Sequence, residues 1–194
     1  MPRIALLIAA ILLVYFPVYE LGFVSDDHGL ITNELTGIAQ QSIASAFGQD
    51  LWHFQENESG YYRPLMTLSL LLDHTLWGQW AGGYHLQSLL WHIVSVTALF
   101  GVLHSLFGSS RAFIGAGLYA FHPLVSEATC FISARNDSMA IALGLSAVWL
   151  TIPAKASHKR CVLAAVFAAA ACLSKETGIV ILVLLPLIDW ARSL

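Results

Sequence analysis

Only 11% of the 194 residues are charged while 57% are hydrophobic, and mean hydropathy is +0.70. A soluble domain usually carries about 25% charged residues, so the composition places the chain among integral membrane proteins. The net charge of −3 and the lack of a basic patch interleaved with aromatics argue against nucleic acid as a partner.

The first apolar run, Ile4–Val24, follows Arg3. Pro17, Glu20 and Phe23 occupy the zone where a signal peptide would need small residues, so the run reads as an uncleaved first span. Ser25 to Arg63 is polar and rich in Asp, Asn, Gln and Gly. Inside it, Leu35–Phe47 has apolar residues at helical spacing over an interfacial length, which predicts one amphipathic surface helix. Pro64–Trp77 is short and contains Asp73 and His74, as expected of a second interfacial helix. Tyr84–Phe107, Arg111–Cys130, Ser138–Ile152, Cys161–Leu173 and Ile179–Trp190 are the remaining candidate spans. The last two are short, which predicts helices running on through their polar flanks.

Arg3, Arg111, Lys155, Lys159, Arg160 and Arg192 fall at helix ends on one side, which the positive-inside rule makes cytoplasmic. Among the 12 carboxylates only Asp189 falls there. The expected fold is therefore all-α and integral to the membrane, with about six spans and both termini inside. Residues 1–194 form a single membrane domain: 1–24 the first span, 25–83 an outer loop with interfacial helices, 84–194 the remaining spans.

Four polar clusters gather on the outer face. Phe23-Val24-Ser25-Asp26-Asp27-His28 carries adjacent carboxylates, able to supply a general base or oxygen ligands for a divalent cation; the plain alternative is a solvated loop. Tyr61-Tyr62-Arg63 sets a cation just before an apolar helix, where it can meet a phosphate or merely snorkel. His122 and Glu127, then Arg135 and Asp137, stand at two consecutive span ends and predict a mutually paired cluster. Lys175-Glu176 opens a fourth turn. His92 and His104 lie within a span and are expected to bond between helices. Cys130, Cys161 and Cys172 have no CxxC spacing and read as small apolar residues. The sequon-like Asn57-Glu58-Ser59 and Asn136-Asp137-Ser138 are too weak a pattern to use.

Taken in order, FVSDDHGLITN (Phe23–Asn33), YRPLMTLSLLLDHTLW (Tyr62–Trp77), GYHLQSLLWH (Gly83–His92), AFHPLVSEATCFISARND (Ala120–Asp137) and LSKETG (Leu173–Gly178) resemble the N-terminal part of the GT-C superfamily. These are polyprenyl-phosphate-sugar-dependent glycosyltransferases, and the chain looks most like the transmembrane-and-TPR O-mannosyltransferase-like proteins and their bacterial relatives. The resemblance implies sugar transfer, with inversion, from a lipid-linked phosphate to a hydroxyl acceptor at the outer membrane face. It implies a base at Asp27 or Asp26, with a divalent cation near the pair. It implies substrate contacts from Arg63, His122, Glu127, Arg135, Asp137, Lys175 and Glu176, the cations stabilising the departing phosphate. The implied location is a bacterial inner membrane, or the endoplasmic reticulum membrane in a eukaryote, with the clusters outer or luminal. Superfamily enzymes have more spans than this chain. A non-catalytic subunit packed against other membrane subunits is therefore the second expectation. A small transporter ranks third, because the charges cluster at one face rather than at mid-span.

Overall fold

The computed structural model describes residues 2–35, 37–52, 60–152 and 157–193. Lys155, Asn57–Ser59 and the side chains of Asp189 and Arg192 lie outside the described residues. The described residues form nine α-helices joined by short 3-10 turns and one π-turn.

Helix α1 (Pro2–Tyr15) runs on through the 3-10 turn Phe16–Glu20. The His28–Thr32 π-turn and the 3-10 turn Ile38–Gln40 lead to α2 (Ile43–Gly48). The single helix expected over Leu35–Phe47 does not form. Gln41 and Ser42 are extended, and Ser42 caps α2, its hydroxyl accepting from Ser45 N at 3.1 Å while Ser45 Oγ accepts from Ser42 N at 2.8 Å. A local capping box thus outcompetes the apolar periodicity.

Helix α3 spans Pro64–Trp77 as expected. Pro64 supplies the fixed φ of a first helical residue, and Gly78 ends the helix at φ +59. α4 is Ala81–Phe107. The expected span Arg111–Cys130 is instead two helices, α5 (Ser109–Ala120) and α6 (Pro123–Cys130). Pro123 lacks an N–H and forces the preceding residue out of the helical region; His122 sits at ψ 132 and its Nδ1 accepts from Leu124 N at 3.3 Å. The carbonyl freed at Ala120 is taken by Tyr15 Oη and His92 Nε2, each at 3.1 Å. Because a carbonyl only accepts, Nε2 is the protonated nitrogen of His92. That bond joins α4 to α5, as expected for His92. His104 is exposed against Phe100 of its own helix and makes no such link among the described residues.

α7 (Arg135–Thr151), α8 (His158–Ser174) and α9 (Val180–Ser193) complete the chain. α8 extends through polar residues at both ends, as expected. Among the described residues two stretches, Pro2–Glu20 and Ala81–Phe107, are long and apolar enough to cross a membrane. α7 and α8 have 17 residues each, a rise of about 25 Å against a hydrocarbon core of roughly 30 Å.

Helix α7 packs between α4 and α8, and α4 also carries α5. One core joins Leu7, Ile11 and Tyr15 of α1 to Val96 of α4 and to Ala112, Ala116 and Ala120 of α5. The alanines recur every four residues, which lets the helix backbones approach closely. A second core joins Val102, Ala147, Val148, Ala164, Ala168 and Ile181. A third lies where the first outer loop folds over the bundle, with Leu30, Ile31, Ile38 and Leu51 on Met66, Leu70, Tyr84 and Met139. Leu13, Leu118, Val166 and Val183 face outward, a surface suited to lipid rather than water.

Candidate functional site

The loop Phe23–His28 follows the first helical stretch and turns sharply. Ser25 takes φ +48, a left-handed conformation that is costly for a residue with a Cβ and that the surrounding structure must hold. Asp27 fixes the turn. Its Oδ2 accepts from Val24 N at 3.2 Å, and its Oδ1 accepts from Ser133 N at 3.0 Å and Ser133 Oγ at 2.6 Å. Asp27 is fully buried. Asp26 therefore points the other way, exposed, with Ser25 Oγ 3.4 Å from its Oδ1. The two carboxylates do not converge, and both oxygens of Asp27 are occupied, so the pair does not fit a shared divalent cation. Among the described residues no group of three His, Cys, Asp or Glu side chains could hold a metal ion.

Arg63, at the start of α3, donates from Nε and Nη2 to the two oxygens of Glu176, each at 2.9 Å. Its guanidinium also lies 4.5 Å above the Tyr61 ring. Partial burial alone would raise the Glu176 pKa, but the Arg63 hydrogen bond and charge, together with a backbone hydrogen bond and the Lys175 charge, hold the carboxyl below the usual glutamate range. Lys175 Nζ meets Asp137 Oδ1 at 2.5 Å. Lys175 and Glu176 are consecutive, so one turn links α3 to the first turn of α7. The 3-10 turn Glu176–Ile179 is seated on α8 through Gly178, where an added Cβ would collide with the Ala171 carbonyl. Gly178→Ala is expected to cost about 1–3 kcal/mol and to loosen both ion pairs. A thermal midpoint in detergent equal to the unsubstituted chain's would contradict that seating.

Arg135 behaves differently from the other two cations. It is fully buried and donates to Ser88 Oγ at 2.9 Å, Ser69 Oγ at 2.9 Å, Asp73 Oδ2 at 2.5 Å and the Tyr84 carbonyl at 2.7 Å. Sequence reasoning missed Asp73 as its partner. The available signal was a carboxylate inside an apolar run with Ser69 one turn before it. The expected pairing of His122 and Glu127 with Arg135 and Asp137 is not what the structure shows. Arg135 turns inward to α3 and α4, and Asp137 turns to Lys175. His122 caps α6, and Glu127 is exposed. Cys130, Cys161 and Cys172 are free thiols.

The acidic turn is anchored at Ser133, four residues before Asp137, so Asp26, Arg63, Lys175, Asp137 and Glu176 share one end of the bundle. His122 lies at the α5–α6 break and Glu127 within α6, and among the described residues neither forms an ion pair with this group.

Residues 64–192 match the family model for dolichyl-phosphate-mannose-protein mannosyltransferase. Protein O-mannosyl-transferase Tmtc1 of Drosophila melanogaster is 30% identical over 190 residues, covering 90% of this chain and 21% of that protein. Its counterpart Tmtc2 of Drosophila melanogaster is 32% identical, covering 89% and 20%. Protein O-mannosyl-transferase TMTC2 of Homo sapiens is 33% identical over 131 residues, covering 65% and 16%. The chain thus spans about a fifth of the length of the two Drosophila melanogaster relatives. No solved structure matches it. With two thirds of its length inside the family model, the chain belongs to the dolichyl-phosphate-mannose-protein mannosyltransferase family.

Proposed function

We propose that the chain is the N-terminal membrane module of a glycosyltransferase that moves a sugar, mannose by the family's name, from a polyprenyl phosphate to a hydroxyl acceptor at the outer or luminal membrane face. The observation that carries this reading is the division of labour between two adjacent carboxylates. Asp27 is spent on Ser133 and Val24, which leaves Asp26 presented at the face that also holds Arg63 and Lys175. A carboxylate base and cations on one face suit inverting transfer from a phosphate to a hydroxyl. Asp26 accepts the hydroxyl proton as the acceptor oxygen attacks the anomeric carbon. The bond from that carbon to the phosphate oxygen breaks, and the lipid phosphate leaves with its electron pair. Arg63 and Lys175 stabilise that charge where it develops. A phosphate leaving group needs no general acid. The Asp26–Asp27 pair does not fit a metal, and no step uses one.

In this reading residues 1–194 are one integral membrane domain in a bacterial inner or endoplasmic reticulum membrane, with about six spans, both termini inside and α3 lying along the outer surface. The membrane-embedded partner is the lipid-linked sugar. A cysteine placed at Ser157, between α7 and α8, is expected to react with a membrane-impermeant maleimide only after the membrane is opened. Reaction in intact cells or spheroplasts would overturn this orientation.

A second reading, a non-catalytic subunit among other membrane subunits, draws on the neutralised state of Arg63 and Lys175. The two readings separate in one experiment. The protein containing this chain is purified and given polyprenyl-phosphate mannose with a hydroxyl acceptor peptide. Transfer supports the enzyme; no transfer from any lipid donor, with tight copurification of other membrane proteins, supports the subunit.

A further inference from the structure

Arg63 and Lys175 are the two partly accessible cations in the group that includes Asp26, and each already holds a carboxylate. The partners in the first pair are held very differently. The Arg63 side chain is 11% exposed and stacked 4.5 Å over Tyr61, whereas the Glu176 side chain is 48% exposed. Glu176 can leave by a change of rotamer. The backbone beneath it stays, because Gly178 is seated against Ala171. Arg63 keeps its place over Tyr61 when Glu176 departs. Glu176 engages the guanidinium through two parallel bonds of 2.9 Å, the same forked geometry in which a guanidinium takes two oxygens of a phosphate.

We propose that Glu176 is a resident competitor at an anion site: its carboxylate keeps the Arg63 fork occupied between ligands and is exchanged for the phosphate of a lipid-linked ligand. Asp137 plays the same part on Lys175. This inference rests on the phosphate reading of Arg63 given above and adds its regulation. The exchange replaces one charge-assisted pair by another, so the largely buried Arg63 guanidinium is never left without an anion, a state that carries a desolvation cost. Because Lys175 and Glu176 are neighbours, a phosphate arriving at Arg63 displaces the anion next to the second cation. A resident carboxylate also weakens every arriving anion by the same factor. Inorganic phosphate, with no other contacts, then binds more weakly still, while a phosphate whose hydrocarbon chain is held by the bundle keeps the affinity that its apolar contacts supply.

The test measures binding of a short-chain prenyl monophosphate, and separately of inorganic phosphate, to the purified full chain in detergent. Glu176→Gln is expected to bind the prenyl phosphate about three- to five-fold more tightly than the unsubstituted chain, the factor set by losing one partly exposed ion pair. Asp137→Asn should give a similar gain, and the double substitution more. The gain should shrink as salt rises, since screening weakens the competitor first. Arg63→Ala should lose binding in both backgrounds. Glu176→Gln binding that is unchanged or weaker, with Arg63→Ala still impaired, would overturn the exchange while leaving the phosphate site standing. Binding by Arg63→Ala equal to the unsubstituted chain would overturn the phosphate reading itself. Equal affinity for inorganic phosphate and prenyl phosphate would overturn the assignment of a lipid-linked ligand.

Discussion

Arg135→Ala is expected to cost the fold about 3–5 kcal/mol, the largest stability loss of any single substitution argued from this structure. Arg135 and Asp73 are both fully buried. Removing the guanidinium leaves the buried Asp73 carboxyl without its counter-charge, costly whether it stays ionised or takes up a proton, with Ser69, Ser88 and the Tyr84 carbonyl stripped of the same donor. The damage is not confined to one contact, because Arg135 ties the start of α7 to α3 and to α4. Loss of that tie also displaces Ser133, two residues earlier, which anchors the acidic turn. Thermal unfolding in detergent should show the midpoint falling by on the order of 10 °C. Arg135→Lys should fall between, since it keeps the charge but offers no planar fork. Replacing Asp73 and Arg135 together by leucine and methionine should recover much of the loss, because no uncompensated charge remains. A midpoint for Arg135→Ala within error of the unsubstituted chain would show that the buried pair does not hold α3.

What the sequence made legible follows from the range of the interactions involved. α3 was readable to the residue because both its ends are local: Pro64 starts it and Gly78 stops it. α4 and the extension of α8 were readable because long apolar runs dominate their surroundings. The break at His122-Pro123 carried its own signal, and apolar length concealed it; Pro123 removes a backbone donor whatever the hydropathy on either side. Leu35–Phe47 misleads for the opposite reason. Its periodicity was real, and Ser42 with Ser45 diverted the backbone locally. The cations of the site were visible as outer-face exceptions to the charge bias. Their partners were not, because Arg63–Glu176 and Arg135–Asp73 join residues 113 and 62 positions apart. Neighbourhood in sequence favoured pairing Arg135 with Glu127 and Asp137. The fold instead laid α3 across α4 and α7 and brought Asp73 to it.

The adjacent carboxylates Asp26 and Asp27 call for opposite predictions. Asp26→Asn in the protein containing this chain should lower sugar transfer by about 10²–10⁴-fold and leave the thermal midpoint unchanged. Asp26 is exposed and its hydrogen bond to the neighbouring Ser25 is long, so an amide there costs the fold little. The amide cannot accept the acceptor's proton, and the loss should appear in kcat. Asp27→Asn should instead lower both activity and stability. Its Oδ1 accepts two donors from Ser133 and its Oδ2 accepts from Val24 N. An amide nitrogen at either position sets a donor against a donor inside a buried site, a mismatch worth about 1–3 kcal/mol. Ser133→Ala removes one of those donors without touching either carboxylate, and should reproduce a milder form of the Asp27→Asn defect. It should leave the Asp26→Asn phenotype alone. The decisive comparison is the pair of midpoints and turnover rates. Full activity in Asp26→Asn, together with lost activity at an unchanged midpoint in Asp27→Asn, would make the buried carboxylate the base. The acidic turn would then have to open, Ser25 leaving its φ of +48, before the acceptor could reach it.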